Sequence, residues 1–169
     1  MFKKLLLIIL WLTILIIIWS FFFLERYIAD WNSMYPTIIE NQWILVQKIA
    51  YWNIKRGDII TFKLPNNRYN DVKRVIGLPW EIIKIEWGKV EICLSESQCS
   101  ILNEIYIETW IITQTFWKSE FKLKNWYFVM WDNRSNTIDS RFCFMLECLE
   151  SNQYEVFKEN ILWKVIYIK

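Results

Sequence analysis

Hydrophobic and polar positions divide the chain into two unlike parts. Leu5 to Leu24 is a run without charge, broken only by Thr13 and Ser20. Lys3 and Lys4 precede it, and Glu25 and Arg26 end it. At about 1.5 Å per residue the run spans roughly 30 Å, the thickness of a bilayer's hydrocarbon core. It is longer than the apolar region of a cleavable secretory leader, and no small-x-small site follows in 24–30. The pattern therefore predicts a retained transmembrane anchor over residues 5–24. The two lysines put residues 1–4 on the cytoplasmic side, so 27–169 form an extracytoplasmic domain on the cell membrane.

From residue 27 the pattern changes to short runs. Segments 43–46, 58–62, 71–76, 81–85, 89–92, 121–123, 127–130 and 161–168 are rich in β-branched and aromatic residues and bounded by turn-prone positions. No long amphipathic helix follows the anchor. The expected fold is mainly β: an N-terminal transmembrane helix, then an all-β, barrel-like domain of small twisted sheets. Residues about 93–125 carry weaker strand signals and predict a small inserted subdomain.

Composition narrows function by exclusion. The chain has no histidine, which removes Ser-His-Asp and Cys-His catalysis and every imidazole metal site. Its 20 basic and 18 acidic residues offer no electrostatic case for nucleic-acid binding. The four cysteines, Cys93, Cys99, Cys143 and Cys148, all fall outside the membrane, where disulfides persist. Bridges Cys93–Cys99 and Cys143–Cys148 are the simplest of the three pairings. Free thiols and a four-thiolate zinc site are the alternatives, although neither pair has the two-residue gap of a zinc knuckle. No metal and no organic cofactor is expected.

Without histidine, a serine nucleophile needs another base, and lysine is the strong candidate. A solvated lysine, with a pKa near about 10.4, is protonated at neutral pH, but burial disfavours the ammonium. Lys73, set among Val72, Val75 and Ile76, has surroundings compatible with such burial. Three segments draw attention: Ser33-Met34-Tyr35-Pro36-Thr37, Val72 to Pro79, and Asp132 to Arg141. Each alone reads as ordinary structure: a proline turn, a solvated pair of cations on a strand, a salt-bridged turn. They occur in order behind an anchor, with Arg56-Gly57-Asp58-Ile59-Ile60-Thr61-Phe62, and with Leu102-Asn103-Glu104 near Tyr106. So arranged, the chain over nearly its whole length resembles bacterial type I signal peptidase, a membrane-anchored serine–lysine protease that removes signal peptides from exported proteins.

The resemblance implies roles residue by residue. Ser33 would attack the scissile carbonyl, and Lys73 would take its proton, return it to the leaving amine and activate the deacylating water. The backbone N–H of Ser33 would help hold the oxyanion. Thr137 stands where many members have the serine that orients the lysine. Asp139 and Arg141 match an ion pair behind the site. Arg74, Asp132, Asn133, Arg134 and Ser140 would be structural supports, and Met34 and Pro36 would shape the nucleophile's turn beside the membrane. Leu24 and Ser33 are nine residues apart, at most about 30 Å of chain, which confines the serine near the bilayer surface. The implied partners are preprotein signal peptides, bound as an added β-strand, and the lipid bilayer. Nucleic acid is not among them, and a monomer is expected. Two rivals share these features: an inactive membrane-tethered β-domain homologue, and a related serine–lysine protease with a dedicated substrate.

One count departs from the ordinary. The chain has 12 tryptophans and 3 glycines, whereas average usage predicts about 12 glycines. Trp31, Trp80 and Trp131 stand where the resembling family has glycine, and Trp126 and Trp163 follow the rule less strictly. Trp52, Trp87, Trp110 and Trp117 fall in loop-like contexts where glycine is ordinary. An indole at a left-handed position costs about 1–2 kcal/mol. The expectation is that UGA codons of this gene are read as glycine, and that these positions need positive φ.

Overall fold

The computed structural model describes residues 2–29, 32–48, 53–64, 70–115, 118–135, 138–145 and 154–169. Phe2–Phe23 is one helix, α1, of 22 residues, about 33 Å long. Its segment Phe2–Trp19 has a mean hydropathy of 2.3 and none of it is covered by the rest of the chain, so α1 is long and apolar enough to cross a membrane. The helix ends one residue short of the expected anchor. Leu24 instead opens a strand, β1 (Leu24–Ile28), with no linker between.

Nine further strands follow: β2 (Trp43–Gln47), β3 (Ile59–Phe62), β4 (Asp71–Gly77), β5 (Ile82–Glu86), β6 (Lys89–Ser95), β7 (Gln98–Ile101), β8 (Glu120–Lys122), β9 (Phe128–Met130) and β10 (Ile161–Ile168). The eight predicted strands all form, and the fold is mainly β as expected. Two strands escaped prediction. The β1 sequence, Leu-Glu-Arg-Tyr-Ile, reads as the charged end of the anchor. All four residues of β7 are exposed, so no alternation marks it.

All strand pairs are antiparallel, in two sheets. One has the order β1-β2-β10-β3-β4-β9, the other β7-β6-β5-β8. The second sheet occupies the sequence between β4 and β9, from residue 82 to residue 122. Ile76, Ile83, Ile85, Phe121, Phe128 and Met130 join the two sheets in one apolar cluster. Gly77 permits this approach: a Cβ there would lie 2.6 Å from Leu123 Cδ1 and 2.7 Å from Ile83 Cδ1. A second cluster, with Ile60, Phe62, Val75 and Val129, covers one face of β3 and β4. A third, with Met34, Ile38, Val46, Ile59, Val165 and Trp131, covers the other.

Cys93 and Cys99 face each other across β6 and β7 and are bonded, which takes both thiols out of the zinc alternative. Cys143 is also disulfide-bonded. Cys148, its expected partner, lies outside the described residues.

Backbone conformation divides the tryptophans. Trp87 and Gly88 make the two-residue turn joining β5 to β6, with φ of 52° and 78°. A tight hairpin turn with both central residues left-handed is the geometry for which Asn-Gly or Gly-Gly is selected. Trp80, after Pro79, has φ of 69°. Their side chains are 96% and 70% exposed, so little burial offsets the strain. Trp110, Trp126, Trp131 and Trp163 do not have positive φ, so the expected strain is absent at these four. Trp126 instead packs its ring on Phe157. Trp31, Trp52 and Trp117 lie outside the described residues. Trp80→Gly and Trp87→Gly should each stabilise the domain by about 1 kcal/mol, read as a raised Tm. A lowered Tm for either would show that the indole is accommodated.

Candidate active site

Four segments remote in sequence meet around β4. Strand alternation sends its neighbouring cations to opposite faces. Lys73 pairs across with Ile60, and Asp71 with Phe62, on one face. Val72 pairs with Thr61 on the other, where Arg74 also points.

Arg74 cannot shed its charge, and it is buried to 8% exposure. It is therefore fully partnered. Nε donates to Asp132 Oδ1 at 2.8 Å and Nη2 to Asp132 Oδ2 at 2.6 Å. Nη1 donates to the Gly57 carbonyl at 2.7 Å, and Nη2 to Thr37 Oγ1 at 3.1 Å. Its guanidinium lies 3.9 Å from the Tyr106 ring centre. One side chain thus fastens together the Ser33–Thr37 segment, the Arg56–Asp58 loop, Tyr106 and the Asp132 turn.

Two further buried pairs brace that turn. Arg134 donates to both carboxylate oxygens of Glu104, to Thr113 Oγ1 at 3.0 Å and to the Trp131 carbonyl at 2.9 Å. Tyr106 O–H donates to Glu104 at 2.6 Å, and burial, with this carboxylate, pushes the Tyr106 phenol up. Arg141 binds Asp139 through Nε, at 3.0 and 3.1 Å, and Nη2, at 2.7 Å. Asp139 also accepts the N–H of Trp131, and Ser140 Oγ accepts that of Val129 on β9.

Ser33 lies half-buried in a 3-10 turn, Asn32–Met34. Asn133 holds this turn: its N–H donates to the Ser33 carbonyl at 3.1 Å, and its Nδ2 to the Asn32 carbonyl at 3.2 Å. Met34 is buried beneath, and Pro36, half-buried, follows a cis peptide bond. Beside Ser33 is a largely apolar cavity of about 180 Å³, lined also by Ala29, Met34, Thr61, Val72 and Trp163. Thr61 Oγ1 is buried there without a hydrogen-bond partner.

Lys73 is sealed from solvent, at 0% exposure. Rings enclose Nζ: Trp131 at 4.7 Å, Phe62 at 5.1 Å and Phe144 at 5.3 Å to the ring centres. Phe144 has φ of 54° and follows Cys143 at 49°, two consecutive left-handed residues where the chain beside Lys73 kinks. Nζ is ion-paired with Asp71, 3.0 Å from its Oδ1. Burial pulls its pKa below the ordinary lysine value, and Asp71 and Asp139 oppose that fall. Ser33 and Lys73 both border the 131–133 segment, one through Asn133 and the other through Trp131, but the Ser33 cavity lies on the Val72–Thr61 face of the sheet and Lys73 on the opposite, ring-lined face, and the two side chains are not in contact. Thr137, the expected orienting hydroxyl, lies outside the described residues.

A family model described as signal peptidase, peptidase S26, matches residues 2–153. The chain belongs to that family. It is 38% identical to a signal peptidase I of Leptolyngbya laminosa over 69% of this chain and 59% of the relative. It is 33% identical to signal peptidase I U of Bacillus subtilis, over 70% of this chain and 66% of that one. Signal peptidase I T of the same species is 32% identical over 71% and 65%. The matched region thus spans 59% to 66% of the length of these relatives.

Within the family frame, three site neighbours were not legible in sequence. Asp71 looked like a strand's polar start, Thr61 like a β-former, and Trp163 like a displaced glycine. The pairing of β4 with β3, the pairing of β10 with β3 that sets Trp163 opposite Thr61, and the stacking of Trp163 on Tyr27 at 5.1 Å bring them to the site. The Arg74–Asp132 pair yields a stability prediction. Arg74→Met or Asp132→Leu alone should cost about 3–5 kcal/mol, because each strands a buried charge. The double variant should cost less than the sum, read by thermal unfolding of the detergent-solubilised chain. Additive losses would show that the two side chains are not coupled.

Proposed function

We propose that this chain is a signal peptidase of the type I kind, an endopeptidase that removes N-terminal signal peptides from exported preproteins at the outer face of the cytoplasmic membrane. Ser33 is the nucleophile and Lys73 the general base. The observation that carries this reading is the Lys73 amine: fully buried, enclosed by three rings, its pKa lowered by desolvation. A lysine in that state can exist as a neutral amine at a pH where a solvated one cannot.

In the proposed reaction the scissile peptide lies against the cavity beside Ser33. Its modest volume and apolar lining suit small side chains next to the cut. Lys73 accepts the hydroxyl proton as Ser33 Oγ attacks the carbonyl, and the Ser33 N–H helps bind the oxyanion. Lys73 passes the proton to the departing amine, then deprotonates the water that cleaves the acyl-enzyme. The direct passage of α1 into β1 supports a position close to the membrane, because β1 pairs with β2 and Ala29 borders the same cavity as Ser33.

One feature favours a second reading, a tethered domain without activity. The Trp131 indole occupies one side of Nζ. A glycine at this position would remove the ring from that side of Nζ. Cleavage of a preprotein in detergent separates the readings. Ser33→Ala and Lys73→Met should each lower kcat/KM by about 10⁴-fold or more. Trp131→Gly should raise it by on the order of 10²-fold, the scale of a positioning error removed. Activity that survives both Ser33→Ala and Lys73→Met would remove the mechanism. No cleavage by either the parent or Trp131→Gly would leave the tethered domain as the answer.

A further inference from the structure

Asp71 is the charged group nearest to Nζ among the described residues. It lies two residues before Lys73, on the same face of β4, with its Oδ1 3.0 Å from Nζ. Of the two side chains only the carboxylate meets water, at 19% exposure against 0%. Around Nζ, β3 contributes the Phe62 ring, the segment after β9 contributes Trp131, and the Ser140–Met145 turn contributes Phe144. The other acidic group that acts on Nζ is Asp139, and both of its oxygens are engaged by Arg141, whose positive charge offsets it.

We propose that Asp71 is a positioning residue for the reaction: its carboxylate orients the Lys73 amine and favours its protonated form, so that the strength of the base is set by a neighbour two residues away. The proposal rests on the reading of Lys73 as general base and adds what controls it. Two opposed effects act on the amine. Desolvation disfavours the ammonium, and an opposite charge within hydrogen-bond distance favours it. The aromatic faces add a smaller pull toward the cation. Burial prevails, and Asp71 is the largest of the groups that limit the fall. The 3.0 Å contact suits this role: the carboxylate accepts from an N–H of Nζ and so steadies it, while the lone pair of the neutral amine remains for a substrate-side proton.

The sign of the expected change follows. A base must be neutral to act, so activity rises with pH through the lysine's pKa. Removing the carboxylate removes a group that raises this pKa, and the rising limb moves to lower pH. Asp71→Asn, with Asp71→Ser as a second neutral variant should the amide disturb folding, should shift the rising limb of kcat/KM down by about one pH unit or more. Asp71→Glu should bring it back toward the parent value. A second measurement is independent of activity: the titration of Lys73 Cε, followed by NMR of the full chain labelled with carbon-13 lysine, with Lys73→Arg to assign the signal. It should fall in parallel for both neutral variants. A Lys73 titration that stays in place would overturn the proposal. A titration that moves while the rate profile does not would uphold Asp71's hold on the amine and remove Lys73 from the role of base.

Discussion

A cation taken out of water must be paired or must give up its proton, and β4 buries two cationic residues side by side. Arg74 has no neutral form within reach, so its face is built of acceptors: Asp132, the Gly57 carbonyl and Thr37. Lys73 can become neutral, so its face is built mainly of rings, with the Asp71 carboxylate the one charged neighbour at ion-pair distance among the described residues. The pleat of one strand makes both environments from adjacent residues. Exchange of the two residues would leave a guanidinium, which cannot become neutral, enclosed among rings, and would put at the acceptor face an ammonium without the fork that grips both Asp132 oxygens.

The same rule explains how so many loops are held with little helix beyond α1. Four arginine–carboxylate pairs, Arg56–Glu81, Arg74–Asp132, Arg134–Glu104 and Arg141–Asp139, lie at or near the junctions of loops. Three of them join residues 25 to 58 positions apart. Fork-shaped guanidinium groups fix direction as well as distance, which lysine could not do. Asn133 then turns this rigid frame into a hold on the 3-10 turn of Ser33. Loss of one pair would therefore be felt at the serine without any contact with it.

The tryptophans act in opposite senses. At 80 and 87 the indole is exposed on a left-handed backbone, so it contributes strain and little packing. At 163 it lines the cavity, and at 131 it is 9% exposed beside Lys73. Backbone geometry thus argues for glycine at the first two positions. At 131 the argument is instead one of space, because the ring takes up room on one side of the amine.

The sequence by itself determined the apolar helix, eight of the ten strands, and the residue types able to do serine–lysine chemistry without histidine. These are local properties: hydropathy, β-propensity and motif order are written over a few neighbouring residues. Cys93 and Cys99 were paired on the same basis, being six residues apart. Strand β7 and the site neighbours Thr61, Asp71 and Trp163 carry no local mark. Their meaning comes from register, since a strand's residues alternate faces and only pairing with β3 decides which face holds rings and which holds the cavity. The convergence of Gly57, Thr37, Tyr106 and Asp132 on Arg74 is likewise a fact of tertiary structure. A guanidinium selects its partners by geometry in space, which separation along the chain does not encode.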